Sequence, residues 1–345
     1  MEMTLRRPDD WHVHLRDGQI LQAVAPHTAR WMGRAIVMPN LKPPIRTVHE
    51  ALAYRRRILE AVDPSWGFDP LMTLYLSEQT TPDDVRAAAR ADSVKGVKLY
   101  PAHATTNSDA GVGDFREIED VLAAMEDLDV PLLVHGEVTD TDVDVFDREA
   151  AFIERVLQPI ADRHPGLRIV LEHVTTAEGV EFVRRGSERI GATVTAHHLV
   201  LNRSDLFSGG LRPHHYCLPV PKRENHRRAL VEAVTSGHPR FFAGTDSAPH
   251  LVADKESDCG CAGVFSAPTA ISVYAEVFEQ QDKLQNLEGF LSLHGPRFYG
   301  LEPSEERIRL SRAAWTPPRD VATPSGPIRV FRGGAKLAWT VFRER

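Results

Sequence analysis

Short apolar runs alternate with amphipathic stretches along most of the chain. Eight runs read as strands, at 10–15, 34–38, 70–76, 94–99, 130–135, 167–173, 190–196 and 240–246. Helical patterning fills 48–62, 82–92, 115–128, 148–164, 177–188 and 224–236. Thr81 before Pro82-Asp83-Asp84 combines an N-cap residue with proline at the first helical position. Thr176 and Asp114 are further cap candidates. Strand–helix alternation repeated about eight times predicts parallel βαβ units. Eight units make a closed (β/α)8 TIM barrel, an α/β fold. The rival is a doubly wound open sheet, which usually carries a glycine-rich turn after its first strand. Here the first strand runs into His-Leu-Arg-Asp-Gly (14–18) instead.

No linker or low-complexity segment interrupts the pattern. It predicts one domain over 1–345, with a barrel core at about 8–300 and a C-terminal extension of short strands and turns at 301–345. The long loops 101–114, 198–223 and 247–266 are where function is expected.

Composition narrows the class. The 345 residues are 42% hydrophobic and 26% charged, ordinary for a soluble globular chain. A net charge of −7 leaves no electrostatic footprint for nucleic acid. The basic clusters Arg55-Arg56-Arg57 and Lys222-Arg223 are short and read as solvated surface. Three cysteines, Cys217, Cys259 and Cys261, do not make a disulfide framework. Cys259-Gly-Cys261 lacks the usual structural zinc spacing and reads as two free thiols. No apolar run approaches the ~20 residues of a membrane span, and the N-terminus lacks an apolar signal core. A cytoplasmic protein is expected.

The chemistry begins at His12 and His14, in Asp-Trp-His-Val-His-Leu-Arg-Asp-Gly (10–18). Alternate strand residues share a face, so His-x-His sets two imidazoles side by side. In a (β/α)8 barrel the chemistry sits at the C-terminal ends of the strands. His12 and His14 close the first predicted strand, Asn40 follows the second, and Lys98 lies near the end of the fourth. His135, His173 and Asp246 end the fifth, sixth and eighth. A lone histidine on an apolar strand is more often a satisfied core residue; several delivered to one rim make a site.

Lys98 shares a strand face with Gly96, opposite Val97 and Leu99. Pointing inward, its ammonium would be costly and its pKa would fall. A neutral lysine amine can take up carbon dioxide as a carbamate, whose two oxygens can bridge two divalent metals. The plainer alternative is a lysine whose head escapes to solvent. Four histidines, Asp246 and a modified Lys98 would form a two-metal site. Two metals can bind a water between them, lower its pKa and polarise a carbonyl, with Asp246 taking the proton. That is hydrolysis of an amide-like bond, or its reversal. Arg16, two positions after His14 and so on the same strand face, is suited to fork a carboxylate, with Asn40 and His250 completing the grip. Thr105 and Thr106, in a loop ending Gly-Val-Gly (111–113), can fold over a ligand.

Taken together, these residues resemble the class II dihydroorotases, the shorter, stand-alone bacterial type within the amidohydrolase superfamily. The likeness spans nearly the whole chain. It is carried by 10–18, Met-Pro-Asn-Leu (38–41), Gly-Val-Lys-Leu-Tyr-Pro-Ala (96–102), Ala-Thr-Thr-Asn-Ser (104–108) and Leu-Val-His-Gly-Glu (133–137). Glu-His-Val-Thr-Thr (172–176), Gly-Thr-Asp-Ser-Ala-Pro-His (244–250) and Cys-Gly-Cys-Ala-Gly (259–263) complete it. His-x-His alone marks only the superfamily; the longer strings are far more specific. The resemblance implies two Zn2+ per subunit, bridged by hydroxide and by Lys98 as N6-carboxylysine. His12, His14 and Asp246 would hold one metal, His135 and His173 the other. Asp246 would shuttle the proton. Arg16, Asn40 and His250 would hold the substrate carboxylate, Thr105 and Thr106 would close over it, and backbone groups of Leu218 and Ala262 would reach the ring. The implied reaction is reversible cyclisation of N-carbamoyl-L-aspartate to L-dihydroorotate in pyrimidine biosynthesis, by a homodimer. His103, the segment 251–254 and the C-terminal stretch depart from the pattern.

Two rivals remain at this point. A hydantoinase or dihydropyrimidinase would share the metal site, but its ring lacks the carboxylate for Arg16. A non-catalytic scaffold would be expected to lose metal ligands, and this chain keeps all six positions. Zinc, cobalt and manganese could share such a site.

Overall fold

The computed structural model describes residues 1–344. An N-terminal strand β1 (Glu2–Arg6) precedes eight parallel strands that pair in chain order. These are β2 (Asp10–Val13), β3 (Arg34–Val37), β4 (Asp69–Leu76), β5 (Val94–Leu99), β6 (Leu132–Val134), β7 (Ile169–Leu171), β8 (Ile190–Val194) and β9 (Phe241–Ala243). Sequential order with a helix or long crossover after each strand is the (β/α)8 arrangement. The seam between β9 and β2 is closed just past the strand ends. Val13 bridges Ser247, Asp246 N donates to His12 O at 2.9 Å, and His14 N donates to Ser247 O at 3.1 Å.

All eight predicted strands form, but six end early. The first, second, fifth, sixth, seventh and eighth stop at Val13, Val37, Val134, Leu171, Val194 and Ala243. His14, His135, His173 and Asp246 therefore sit on the segments that leave the barrel. The predicted helices form at Val48–Glu60, Pro82–Arg90, Glu119–Asp127, Ala177–Arg185 and Glu224–Thr235. The stretch 148–164 forms too, as Arg148–Phe152 and Gln158–Arg163 joined through a π-helical turn at Ile153–Leu157. Thr81 caps as expected, in a reciprocal capping box with Asp84, and Thr176 accepts from Gly179 N. Asp114 does not cap a helix. It caps a turn, accepting from Arg116 N, and the helix starts later with Ile118 at its N-cap.

Two long helices escaped the periodicity, as did the short ones at Ala196–Val200, Val252–Lys255 and His294–Tyr299. Ala270–Gln280 is buried at eight of its eleven positions, so its polar face is only the narrow stripe Glu276, Glu279 and Gln280. Gly18–Ala29 opens on glycine and carries Pro26, both poor helix signals. At the C-terminus β10 (Arg307–Ser311) lies between β1 and β13 (Thr340–Arg343), and β11 (Asp320–Thr323) forms a hairpin with β12 (Gly326–Arg329).

A register shift in β2 decides what the barrel encloses. Asp10 pairs with Ala35 and Val13 with Val37, so Trp11 and His12 together oppose the single residue Ile36. Such a bulge re-aims side chains. Trp11 fills the barrel with Ile36, Leu71, Leu133, Val170 and Phe242. Its indole stacks on Tyr299 at 4.6 Å and 7°. Tyr299 ends the helix His294–Tyr299, in which a Cβ on Gly295 would lie 1.9 Å from Trp11 Nε1. Gly295→Ala is therefore expected to lower unfolding stability by about 1–3 kcal/mol through overpacking, and Trp11→Phe in the same chain to recover part of it. Denaturant titration of the single and double variants tests this; additive losses would refute the contact.

Candidate metal centre and ligand cavity

The closure seam assembles the first cluster. Asp10, buried below it, accepts from Thr245 N at 2.8 Å, Thr245 Oγ1 at 2.6 Å and His12 N at 3.2 Å. This ties β2 to the Gly-Thr-Asp segment and brings Asp246 against His12 and His14. Asp246 Oδ1 lies 3.3 Å from His12 Nε2 and 3.1 Å from His14 Nε2, and those two nitrogens are 3.3 Å apart. Tetrahedral bonds of about 2.0–2.1 Å separate ligand atoms by about 3.3 Å, so this triangle fits a divalent metal. The outer nitrogens are held as ligating imidazoles require. His14 Nδ1 bonds Asn40 Oδ1 at 2.8 Å, and His12 Nδ1 faces Glu172 Oε2 at 2.5 Å.

The protonation pattern supports the same fit. Burial pushes His14 down to about 4. Burial alone would also lower His12, but the Glu172 and Asp246 carboxylates override it and lift it to about 9. Burial would raise Asp246, yet its hydrogen bonds to His12 and His14 hold it well below the usual carboxylate range. An anionic carboxylate beside two imidazoles is a cation-binding set.

The second cluster lies on the same floor. The ring centroids of His173 are 5.0 Å from His12 and 4.8 Å from His135. His173 Nδ1 is buried without a hydrogen-bond partner among the described residues, a lone pair that a metal would satisfy. His135 Nε2 pairs with Glu137 Oε2 at 2.8 Å. Lys98 is fully buried, pointing into the barrel as its strand face predicts, with Nζ 2.5 Å from Glu172 Oε2. Burial lowers its pKa, with Glu172 opposing. The solvent-escaping alternative is thereby removed.

Glu172 was missed as a candidate. In a regular strand Glu172 and His173 would point to opposite faces. His173 instead adopts φ 40°, past the end of β7, and both side chains reach the floor. Asp246 and Arg16 share this left-handed backbone, at φ 42° and 58°. Non-glycine residues there cost roughly 1–3 kcal/mol each and cluster at functional sites. The Arg16 side chain thus reaches the cavity from a loop residue and not by strand alternation, since β2 has already ended.

The remaining candidates ring the cavity above the floor. Arg16 Nε donates to Pro249 O at 3.1 Å and Nη2 lies 3.0 Å from His250 Nε2. No carboxylate pairs with Arg16 among the described residues. Asn40 is turned to the framework: Oδ1 meets His14 and Nδ2 donates to Thr106 O at 3.0 Å. Thr106 Oγ1 donates across the mouth to Ala262 O at 3.4 Å, so the 101–114 loop lies over the site. The space beneath, lined by His14, Arg16, Thr105, Leu218, Asp246 and Ala262, is about 20 Å³. A funnel of about 960 Å³ opens outward from Arg16, Thr106, Leu218 and His250. His103 points to solvent at φ 64°. Cys259 and Cys261 are free, with Sγ atoms 3.7 Å apart.

Residues 10–315 match the amidohydrolase family. The chain is 58% identical over 340 residues to a dihydroorotase of Nitrosomonas europaea, covering 98% of this chain and 97% of that one. The chain belongs to the dihydroorotase family. Among solved structures, the dihydroorotase of Saccharomyces cerevisiae in complex with 5-fluoroorotic acid superposes with a TM-score of 0.92 at 36% identity. It covers 100% of this chain and 99% of its own. The Campylobacter jejuni dihydroorotase gives 0.91 at 38% identity, over 99% of this chain and 97% of its own. As a dihydroorotase-family protein the chain is a metal-dependent cyclic amide hydrolase of pyrimidine biosynthesis.

Behind the family's Glu-His-Val-Thr-Thr string lies a support that the sequence did not reveal. Buried Glu149 accepts from Thr175 N, Thr175 Oγ1, Thr176 N and Thr176 Oγ1 at 2.5–3.1 Å, pinning the segment that carries His173. Glu149→Ala is expected to destabilise the fold by about 3 kcal/mol or more, since each orphaned buried donor costs roughly 1–3 kcal/mol. Urea titration checks this; a loss below that of a surface glutamate variant would contradict it.

Proposed function

We propose that this chain interconverts N-carbamoyl-L-aspartate and L-dihydroorotate at two Zn2+ ions, with His12, His14 and Asp246 at one and His135 and His173 at the other. Lys98, carboxylated on Nζ, would bridge them. When bound, such metals polarise the ring amide carbonyl and lower the pKa of water. Loss of a proton from Lys98 Nζ, addition of carbon dioxide with formation of the N–C bond and release of a second proton would replace the buried ammonium by a carbamate anion. Asp246, held anionic by His12 and His14, takes the proton from the attacking water and delivers it to the leaving ring nitrogen. In the reverse direction it returns that proton. His14, kept neutral by burial, offers Nε2 as a ligand while Asn40 fixes its tautomer.

The observation that carries the substrate assignment is Arg16. A guanidinium beside a metal floor, hydrogen-bonded only to Pro249 O and His250, is available for a carboxylate fork. His250 positions Arg16 and, with Asn40, would complete the carboxylate grip, Thr105 and Thr106 close the cavity, and backbone groups of Leu218 and Ala262 face the ring. Hydantoin and dihydrouracil carry no carboxylate to meet Arg16. Entry of a ring into so small a space requires the 101–114 loop to lift. We further propose a cytoplasmic homodimer, supported by the family habit and by three free thiols; light scattering of the purified protein reads the dimer directly.

Ring opening of L-dihydroorotate, dihydrouracil and hydantoin by zinc-loaded protein tests the reading. Activity confined to dihydroorotate is expected; activity only on the uncharged rings would move the chain to the cyclic amidases, and none at all would favour a scaffold. Arg16→Ala is expected to lower kcat/KM for dihydroorotate on the order of a hundredfold or more, the scale of losing two charge-assisted hydrogen bonds, with metal content unchanged. An unaltered efficiency would remove the carboxylate assignment. Intact mass of the metal-loaded protein should show the added carbon dioxide at Lys98, and its loss in Lys98→Ala.

A further inference from the structure

A second cavity lies behind the ligand cavity, with His250 as a shared wall. Its volume is about 450 Å³, within the usual range of small-molecule pockets. Five cationic side chains line it: Arg212, Lys255, Arg319, Arg329 and Arg332. One carboxylate, Glu256, stands in the same wall, and it faces His214 Nε2 at 2.8 Å. The chain as a whole carries −7, so this concentration of positive charge is local.

The cations are only partly matched. Arg329 pairs with Asp320, and Arg332 Nη1 stands 3.8 Å from Glu276 Oε2. Arg212 and Arg319 have no carboxylate partner among the described residues. Lys255, 3% exposed, gives its three protons to the carbonyls of Tyr216, Cys261 and Gly263 at 2.7, 2.7 and 2.9 Å. Its charge is therefore hydrogen-bonded but not neutralised. A concave wall of one sign focuses the field and attracts a counter-ion. Burial pulls Lys255 down to about 8, with the thiols of Cys217 and Cys261 opposing.

We propose that this cavity binds a phosphate-bearing small molecule, its phosphate held by Arg212 and Arg319. Guanidinium forks match phosphate oxygens in bidentate geometry, which a single carboxylate or halide exploits less well. The apolar walls Phe265, Val330 and Phe331 leave room for an organic body beside the charged group. The site shares the His250 wall with the carboxylate grip at Arg16, but Arg212 and Arg319 take no part in the catalytic reading.

Calorimetric titration of the metal-loaded protein with uridine 5′-monophosphate, inorganic phosphate and uridine tests the proposal. Saturable binding of the monophosphate is expected, with uridine weaker by about tenfold or more and affinity falling with added salt. The double variant Arg212→Glu/Arg319→Glu should abolish it, and Arg319→Gln alone should weaken it. Arg16→Ala should leave it intact. Binding that survives the double variant, binding lost in Arg16→Ala, or phosphate held no better than chloride would each overturn the proposal.

Discussion

The site depends on how the barrel is closed. β2 and β9 form no ladder with each other, and their seam is made by Asp10 holding Thr245 and by main-chain bonds at His12, His14 and Ser247. That closure carries Asp246 to two histidines more than 230 residues away in sequence. The same joint that completes the fold therefore builds the His12–His14–Asp246 triangle, which could hold a metal ion. A (β/α)8 barrel gathers strand ends at one rim in any case; here the last pairing of the circle is made by the residues that flank the ligands.

Burial below that rim explains the rest. Trp11 and Tyr299 plug the barrel interior, so the floor of the site is dry and its polar groups must satisfy one another. Most do: Asn40 serves His14, Glu172 serves Lys98 and faces His12, Glu149 serves Thr175 and Thr176. Among the described residues the floor atoms left without a hydrogen-bond partner include His12 Nδ1, Tyr100 Oη, Glu137 Oε1, Glu172 Oε1 and His173 Nδ1. Buried polar atoms are rarely left orphaned without a reason, and a cation bound at His173 would satisfy one of them. Metal binding there would couple to fold stability.

Much of this was legible in the sequence, and the limits have physical causes. The eight strands stand out because their apolar runs are bounded by helix caps, and the rim residues follow from the rule that chemistry gathers at strand ends. Exact ends did not follow, because the residue pattern runs on through His14, His135, His173 and Asp246 after the ladder has stopped, and at His173 and Asp246 the backbone turns left-handed. The bulge in β2 is a relation between two strands, invisible in either one. Glu172 was hidden by alternation, which places it opposite His173 until the backbone turns at φ 40°. Asp114 carried the chemistry of a cap but found a turn to bond instead of a helix. Ala270–Gln280 shows only a narrow polar stripe because it is enclosed on nearly every side.

The central claim is that the buried histidine–aspartate floor is a two-metal site whose cations complete the fold. Elemental analysis of the purified chain before and after chelation, with thermal unfolding of each form, tests it most directly. The account predicts about two divalent metals per chain, released on chelation with a fall in Tm that zinc restores. A chain that holds no metal, or whose Tm is the same with and without it, would contradict the account.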